Sequence, residues 1–271
     1  MESKRILIVN DDGYLSPGLY LLYDAVRGLG EARIYSTSLP RSAVAHTITF
    51  DKPLRVTWKE YMGYRVCVTD GSPVDALHIA LALHGYRPDV VLTGVNVGEN
   101  LSLQHIFYSG TLAVAIEAAL HGVPAAAFSA DVQWFSDFQN PILRRAVMAV
   151  ARLVAEHILS RGLPEGVDLV SVNIPSPRRL KPCCRVAPAA KIRWRPSYVE
   201  RVDTRGRPYY WLTPSPVEAP PGSDVYFFEE GCIVITPLAA DLNPCRAAAS
   251  SLGEVARRVE EVLGGGGGGP V

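Results

Sequence analysis

Two adjacent carboxylates follow the first apolar run of the chain. Arg5 to Val9 reads RILIV, which is typical of a strand buried in a parallel sheet, and Asn10-Asp11-Asp12-Gly13 comes directly after it. Neighbouring carboxylates repel each other, and burying both is costly unless a cation compensates. In isolation, Asp-Asp-Gly is more often a solvated turn or a helix cap. Its position after a buried strand instead favours a metal site.

Other polar side chains also follow predicted strands. Arg41 and Ser42 come after the second one, and Thr93-Gly94-Val95-Asn96 comes at the end of a later one. Ligands of an open α/β sheet bind beyond the carboxyl ends of its strands, so these residues are expected near Asp11 and Asp12. Oxygen ligands from Asp, Asn and Ser suit a hard cation such as Mg²⁺ or Mn²⁺ better than zinc.

A phosphate site is predicted where Tyr108-Ser109-Gly110-Thr111 opens a helix. Backbone N–H groups at a helix N-terminus, together with the helix dipole, favour an anion. The simpler interpretation is an ordinary N-cap, which Ser or Thr often provides. The two interpretations are compatible, and the residues alone do not separate them.

The elements that must position these residues alternate along the first half of the chain. This alternation predicts an α/β fold with a doubly wound, Rossmann-like and mostly parallel sheet. The predicted strands are Arg5 to Val9, Ala32 to Tyr35, Val90 to Leu92, Ala125 to Phe128 and Leu169 to Val172. The predicted helices are Pro17 to Leu29, Pro73 to Leu83, Thr111 to His121 and Pro141 to Arg161, and Glu99 to Phe107 is expected to be a long polar loop.

The alternation of predicted strands and helices ends near Ser176, and the segment that follows is rich in Pro, Arg and aromatic residues. Residues 1–176 are predicted to form the sheet domain, and residues 177–263 an antiparallel hairpin arm, a returning strand from Cys232 to Thr236 and a terminal helix from Ala247 to Leu263. Residues 264–271 form a glycine-rich tail. The arm and the terminal helix are expected to mediate self-association, because the arm is rich in aromatic residues: Trp194, Tyr198, Tyr209, Tyr210 and Trp211.

Composition bounds the partners of the chain. Its 271 residues carry 27 basic and 27 acidic side chains, so no global field favours a nucleic acid polymer or an anionic membrane as the main partner. The longest apolar stretch, Arg144 to Leu159, contains Arg152, Glu156 and His157 and is too short to span a bilayer. The N-terminal apolar run is too short for an export signal, so a cytoplasmic location is expected.

The cysteines and histidines give weaker signals. Five cysteines without CxxC spacing predict neither a zinc site nor a disulfide framework, and are interpreted as small apolar residues, with one bridge left open. His46, His78, His84, His121 and His157 are scattered and are assigned no chemistry. His105 is interpreted as a surface-loop residue, and the alternative is a general acid for a leaving alkoxide.

The sequence resembles the SurE family, the stationary-phase survival proteins, which are metal-dependent 5'/3'-nucleotidases. The motifs that carry the resemblance span almost the whole chain in the family's order. They are Ile8 to Gly13, Ser16-Pro17-Gly18, Arg41-Ser42, Asp70 to Asp75, Gly94 to Asn100, Tyr108 to Thr111, Val172 to Pro175 and Ile235 to Leu238. Asp70 and Ser72 depart from the family's usual residues.

The resemblance implies a phosphomonoesterase that hydrolyses nucleoside 5'-monophosphates, and 3'-monophosphates as a further substrate class. It implies that Asp11, Asp12, Ser42 and Asn96 bind one divalent cation per subunit. Asn96, Ser109, Gly110 and Thr111 are expected to hold the phosphate. Asp11, Asp12 and Asn96 would be the catalytic group, in a homodimer or a higher homo-oligomer.

The sequence leaves some alternative functions and mechanisms open and argues against others. A non-catalytic nucleotide-binding regulator would use the same pocket. A direct attack by one Asp is also open, although the DxDx spacing of phosphatases that use that route is absent. A dinucleotide-dependent oxidoreductase is disfavoured, because no GxGxxG follows the first strand. The preferred base and activity on polyphosphate are not encoded in any motif.

Overall fold

The first predicted strand lies inside a nine-stranded mixed sheet. The computed structural model describes residues 3–192, 195–214, 218–243 and 253–264. The strands are β1 (Arg5–Asn10), β2 (Glu31–Thr37), β3 (Val56–Tyr61), β4 (Tyr64–Thr69), β5 (Val90–Val97), β6 (Ala125–Ala130), β7 (Leu169–Ile174), β8 (Cys184–Val186), β9 (Pro196–Val202), β10 (Pro208–Pro214) and β11 (Ile233–Leu238). The order in the large sheet is β3-β4-β2-β1-β5-β6-β7-β11-β8.

The pairing of the central strands confirms the predicted fold class. Strand β1 is parallel to β2 and β5, and β5, β6 and β7 continue the parallel arrangement. The doubly wound topology places the carboxyl ends of these strands at one edge. The five predicted strands are present, and β2, β5, β6 and β7 extend two or more residues beyond the expected ends.

Helices cover both faces of the sheet. They are α1 (Pro17–Val26), α2 (Pro73–His78), α3 (Ser102–Tyr108), α4 (Gly110–Leu120), α5 (Pro141–Arg161) and α6 (Asp224–Glu229), with a π-helical turn at Ile79–Leu83 and a 3₁₀ turn at Phe135–Gln139. One further helix, α7 (Gly253–Gly264), is described separately below. One core layer contains Leu22 of α1 and Val147 of α5, and the opposite layer contains Leu77 of α2 and Leu112 of α4. None of the described helices is long and apolar enough to cross a membrane.

Several elements were not predicted from the sequence, among them a hairpin and a helix near the site. Strands β3 and β4 form an antiparallel hairpin at the edge of the sheet, joined by Met62 and Gly63, both at positive φ. Residues 102–108 form helix α3, so the expectation of a long polar loop from Glu99 to Phe107 was wrong. The helix forms because Leu103 and Ile106 pack into the core layer beside α4.

The chain beyond residue 176 contributes to the same sheet and also forms the predicted hairpin. Strand β11 is antiparallel to β7 and parallel to β8. Strands β9 and β10 pair only with each other, Trp211 opposite Val199, in a separate antiparallel sheet. The division into residues 1–176, 177–263 and 264–271 stays a prediction.

Helix α7 belongs to a second compact unit, residues 241–271. It begins at Gly253, and the earlier part of the predicted terminal helix, residues 247–252, lies outside the described residues. Trp194 and the glycine tail from residue 265 also lie outside them. Val255 and Val259 are exposed on α7.

Cys183 and Cys232 form a disulfide, which is the single bridge that the sequence analysis left open, so this pair does not act as small apolar residues. The bridge spans a sequence separation of 49 residues and links the segments that lead into β8 and β11. Cys67 is a buried free thiol and Cys184 an exposed one. The pairing joins distant residues that have no characteristic spacing, which is why the sequence pattern did not reveal it.

Candidate functional site

Asp11 and Asp12 are buried at the end of β1, as the sequence predicts. The Thr111 hydroxyl donates a hydrogen bond to Asp11 Oδ1, and the Val97 backbone N–H donates to Asp12 Oδ2 at 2.9 Å. The Arg41 backbone N–H donates to the Asp11 carbonyl at 2.7 Å. The pair is therefore held from the neighbouring strand β5, from helix α4 and from the loop after β2.

The buried negative charges of Asp11 and Asp12 favour a positive charge beside them. Burial raises the pKa of Asp11, and burial together with the negative charge of Asp11 raises the pKa of Asp12 to about 7. Within the described part of the chain, neither carboxylate forms an ion pair with Lys, Arg or His. A bound cation would reverse both pKa shifts by stabilising the charged carboxylates.

Asn10 is a supporting residue that belongs to the first motif but was given no role of its own from the sequence. Its Nδ2 donates to the Gly13 carbonyl at 3.0 Å, and its Oδ1 accepts from the Ser36 hydroxyl at 2.6 Å. The side chain is fully buried. Asn10 therefore fixes the turn that carries the two carboxylates and ties it to strand β2.

Asn96 reaches the site because β5 is irregular near its end. The pairing register with β6 shifts between Thr93 and Asn96, and Gly94 lies at φ +111°. A Cβ at Gly94 would lie 2.2 Å from the Phe128 carbonyl oxygen, so only glycine fits there. Asn96 Nδ2 donates to the Gly98 carbonyl at 2.9 Å, an orientation that leaves Oδ1 as the oxygen available to a cation.

The start of α4 borders the site. Ser109 is the N-cap, and its Oγ accepts from the Leu112 N–H at 3.1 Å. A Cβ on Gly110 would lie 2.8 Å from Asp11 Oδ2, so the absence of a side chain lets the helix approach the carboxylate. The N-cap interpretation is confirmed. The phosphate roles of Ser109, Gly110 and Thr111 stay predictions.

One cavity of about 190 Å³ brings part of the predicted site together, whereas Asp12, Gly110 and Thr111 are not among its lining residues. Four of its lining residues, Asp11, Ser42, Asn96 and Ser109, were singled out from the sequence. The others are Ala43, Val97, Glu99, Asn100, His105 and Tyr108. The cavity is an open pocket at the carboxyl ends of the parallel strands. The cation ligands predicted from the sequence would all contribute oxygen atoms.

His105 does not lie in a surface loop, because it belongs to α3 and lines this cavity. Its Nδ1 lies 3.1 Å from Glu99 Oε1. This hydrogen bond outweighs the effect of partial burial, so the pKa of His105 is raised. Glu99 was not expected as its partner, and the role of His105 as a general acid stays a prediction.

Three histidines that were assigned no chemistry converge on one carboxylate farther along α4. His46, His78 and His121 contact Glu117, and His78, Glu117 and His121 form a group that can hold a metal ion. His46 comes from the loop after β2, His78 from α2, and His121 directly follows α4. Only the Glu117 and His121 spacing of four residues hinted at contact in the sequence.

Comparison with known proteins identifies relatives that match most of the chain. The profile of the family "Survival protein SurE" matches residues 6–196. A protein named 5'-nucleotidase SurE from Hyperthermus butylicus is 43% identical over 252 residues, which are 89% of this chain and 87% of the relative. A protein of the same name from Thermofilum pendens is 41% identical over 260 residues, 96% of this chain and 99% of the relative.

A solved structure supports the same relationship. The crystal structure of the SurE protein from Aquifex aeolicus superposes with a TM-score of 0.74 at 30% sequence identity. The comparison covers 94% of this chain and 99% of the other. The similarity therefore includes the strands and helices that position the cavity.

Proposed function

The chain belongs to the SurE family and is a phosphatase of the 5'-nucleotidase class, and we propose that it works with one divalent cation at the cavity beside Asp11. The proposed ligands are Asp11, Asp12, Ser42 and Asn96. The proposed ion is Mg²⁺ or Mn²⁺, since every proposed ligand atom is an oxygen.

The observation that carries this proposal is the buried carboxylate pair. Asp11 and Asp12 are both buried, and both have raised pKa values. No basic side chain of the described residues compensates their charge. Together with the Asn96 amide oxygen and the Ser42 hydroxyl at the same cavity, they match the ligand preferences of a hard divalent ion.

The bound cation would neutralise the charge of the phosphate and polarise its phosphorus for attack. The protein's own groups would hold the substrate. The N-terminus of α4 presents its first N–H groups beside Asp11, and we propose that Ser109, Gly110 and Thr111 bind the phosphate there. The Thr111 hydroxyl, which donates to Asp11 Oδ1, would couple the position of the phosphate to that of the ligand.

We propose nucleoside 5'-monophosphates as the principal substrates and 3'-monophosphates as a second class. A cytoplasmic location and a homodimer or a higher homo-oligomer belong to the same proposal. A non-catalytic regulator would bind nucleotides in the same pocket without turnover, so a measurement of turnover separates the two functions.

Phosphate release from a panel of 5'- and 3'-nucleoside monophosphates tests the proposal. Wild-type activity should disappear after chelation and return with Mg²⁺ or Mn²⁺. Asp11→Asn and Asp12→Asn should each abolish it while leaving the fold intact, since they remove charge and nearly preserve shape. Asp51→Asn, on an exposed residue outside the cavity, is the matched control. Full activity of chelated Asp11→Asn would refute the proposed ligands, and nucleotide binding without turnover would favour the regulator.

A further inference from the structure

Glu117 lies on α4, at the centre of a cluster of imidazole side chains from His46, His78 and His121. Its Oε2 is 2.7 Å from His46 Nε2, and its Oε1 is 2.7 Å from His78 Nε2 and 3.3 Å from His121 Nε2. The side chain of Glu117 is only 17% exposed, whereas those of His78 and His121 are 36% and 48% exposed. The carboxylate is thus enclosed, and the imidazoles form its border with solvent.

The distances in this cluster suit the coordination of one ion. Zinc binds imidazole nitrogen and carboxylate oxygen at about 2.0–2.2 Å, which places two tetrahedral ligands about 3.3–3.5 Å apart. His78 Nε2, His121 Nε2 and Glu117 Oε1 all lie within 4.8 Å of one another. Small rotations of partly exposed side chains would bring these three atoms to one ion, without movement of the backbone.

The ligand types and their support also fit a transition metal. Two imidazoles and one carboxylate form a recurrent set of protein ligands for zinc, and such a set leaves a fourth position for water. His46 contacts the carboxylate oxygen that His78 and His121 do not contact. Such a hydrogen bond holds a ligating carboxylate in a fixed orientation. Burial opposes ionisation of Glu117, but the hydrogen bonds from His78 and His46 lower its pKa.

We propose that His78, Glu117 and His121 form a second metal site, selective for Zn²⁺ or a similar transition metal, and that His46 positions Glu117. The site is separate from the cavity at Asp11. Glu117 lies seven residues after Gly110, or about 10 Å along α4 at 1.5 Å per residue. The nitrogen ligands select a different class of metal from the oxygen ligands of the cavity.

The position of the site indicates its consequence for the molecule. His46 belongs to the same loop as Ser42, which lines the cavity. This loop also reaches α3, because the Ala45 N–H donates to the Tyr108 carbonyl at 3.1 Å. A metal bound by His78, Glu117 and His121 would fix the position of Glu117. Because His46 binds Glu117, the loop that carries His46 and Ser42 would then be held against α2 and α4. The inference depends on the cluster alone and not on the proposed function.

Metal binding to the full chain tests the inference. Chelator-treated protein is kept in excess Mg²⁺, so that oxygen-ligand sites are filled, and is titrated with Co²⁺ and then with Zn²⁺. We expect one Co²⁺ per chain, with visible absorption bands of a tetrahedral environment, displaced by one Zn²⁺ and accompanied by a rise in the melting temperature. An Asp12→Asn background should give the same result, because Asp12 is not a ligand of this site.

Variants separate a coordinated ion from a simple hydrogen-bonded cluster. His78→Gln and His121→Gln should abolish the Co²⁺ bands and the Zn²⁺-dependent rise in melting temperature. His46→Gln should weaken Zn²⁺ binding by about 10–100-fold, as expected for a residue that orients a ligand. His157→Gln, on an exposed residue outside the cluster, is the matched control and should bind like wild type. Absence of stoichiometric binding to wild type, or unchanged binding by His121→Gln, would overturn the inference.

Discussion

At the scale of single residues, Asp12 makes the stability of the metal-free protein depend on pH. Its pKa is about 7 in the folded state, against 3.8 as the ordinary value, so the folded protein holds the proton more tightly. The contribution of protonated Asp12 to the free energy of unfolding is complete below the unfolded-state pKa near 4. It is lost as the pH rises through about 7. Asp11 contributes with the same sign, because burial raises its pKa as well.

We therefore expect chelated wild type to be less stable at pH 8 than at pH 5, by on the order of a few kcal/mol. Asp12→Asn should flatten this dependence, and Mg²⁺ should restore the stability of wild type at pH 8. Chemical denaturation at the two pH values measures both effects. An identical pH dependence in wild type and Asp12→Asn would show that the pair is not strained by its charge.

Gly110 is the residue at which helix α4 approaches Asp11, one of the proposed metal ligands. A Cβ there would lie 2.8 Å from Asp11 Oδ2 and 3.1 Å from Asp11 Cβ, and Asp11 is buried and cannot swing away. Gly110→Ala should therefore displace the carboxylate and lower both metal affinity and kcat. A misplacement of about 1 Å in an active site costs on the order of 100-fold in rate.

Nucleotidase kinetics and metal titration measure these losses. Gly28→Ala is a suitable control, because a Cβ there would approach no atom closer than 3.7 Å and the residue does not line the cavity. Normal activity and metal affinity in Gly110→Ala would mean that the helix can retreat without cost, and that its close approach to Asp11 has no role.

At the scale of elements, the disulfide is the feature with the clearest energetic consequence. Cys183 and Cys232 are separated by 49 residues, and closing a loop of this length removes about 4 kcal/mol of chain entropy from the unfolded state. Cys183→Ser should lower the free energy of unfolding toward that amount. Cys184→Ser, which alters the adjacent exposed thiol, should have little effect.

Denaturation with and without a reductant measures the contribution of the bridge. Wild type should lose stability when reduced, whereas Cys183→Ser should not respond to the reductant. If reduction leaves the midpoint of wild-type unfolding unchanged, the bridge does not constrain the unfolded chain.

The elements also show what the sequence could and could not reveal. Asp11 was predictable because it follows a buried strand, and Asn96 because it lies near the carboxyl end of another. Helix α5 was predictable at both ends because Asn140 caps it and Gly162 follows it. The β3–β4 hairpin was missed because Met62-Gly63 lacks the usual Asn-Gly turn signal. Helix α3 was missed because its formation depends on packing against the core.

The histidine cluster illustrates the same limit at the level of sites. His46, His78 and Glu117 are brought together by helix packing and by the course of a loop, and neither leaves a spacing in the sequence. The cavity could be anticipated because parallel strands end at a common edge. The cluster could not, since its members come from elements whose side-by-side packing is known only in three dimensions.

At the scale of the whole molecule, the hairpin is expected to mediate self-association. Tyr198, Tyr210 and Trp211 are each more than half exposed, which is a large aromatic surface for a hairpin of two strands. We expect light scattering to give a mass that is a multiple of 29.4 kDa. Tyr210→Glu combined with Trp211→Glu should lower it to that of one chain.

Trp134→Glu is the matched control, because Trp134 is equally exposed but lies outside the hairpin. It should leave the mass unchanged. A wild type that remains a single chain at micromolar concentration would contradict the predicted assembly.

The hairpin has one more property that follows from its two-stranded pairing. Each of its strands hydrogen-bonds on one side only, so the outer N–H and C=O groups of β9 and β10 form two open edges among the described strands. Two-stranded ribbons are marginally stable alone, and open edges invite pairing with another chain. Glu200 and Arg201 place charge on β9, which limits indiscriminate pairing. Amide hydrogen exchange along these edges will therefore be slow only in an assembly that pairs them, and fast in the isolated chain.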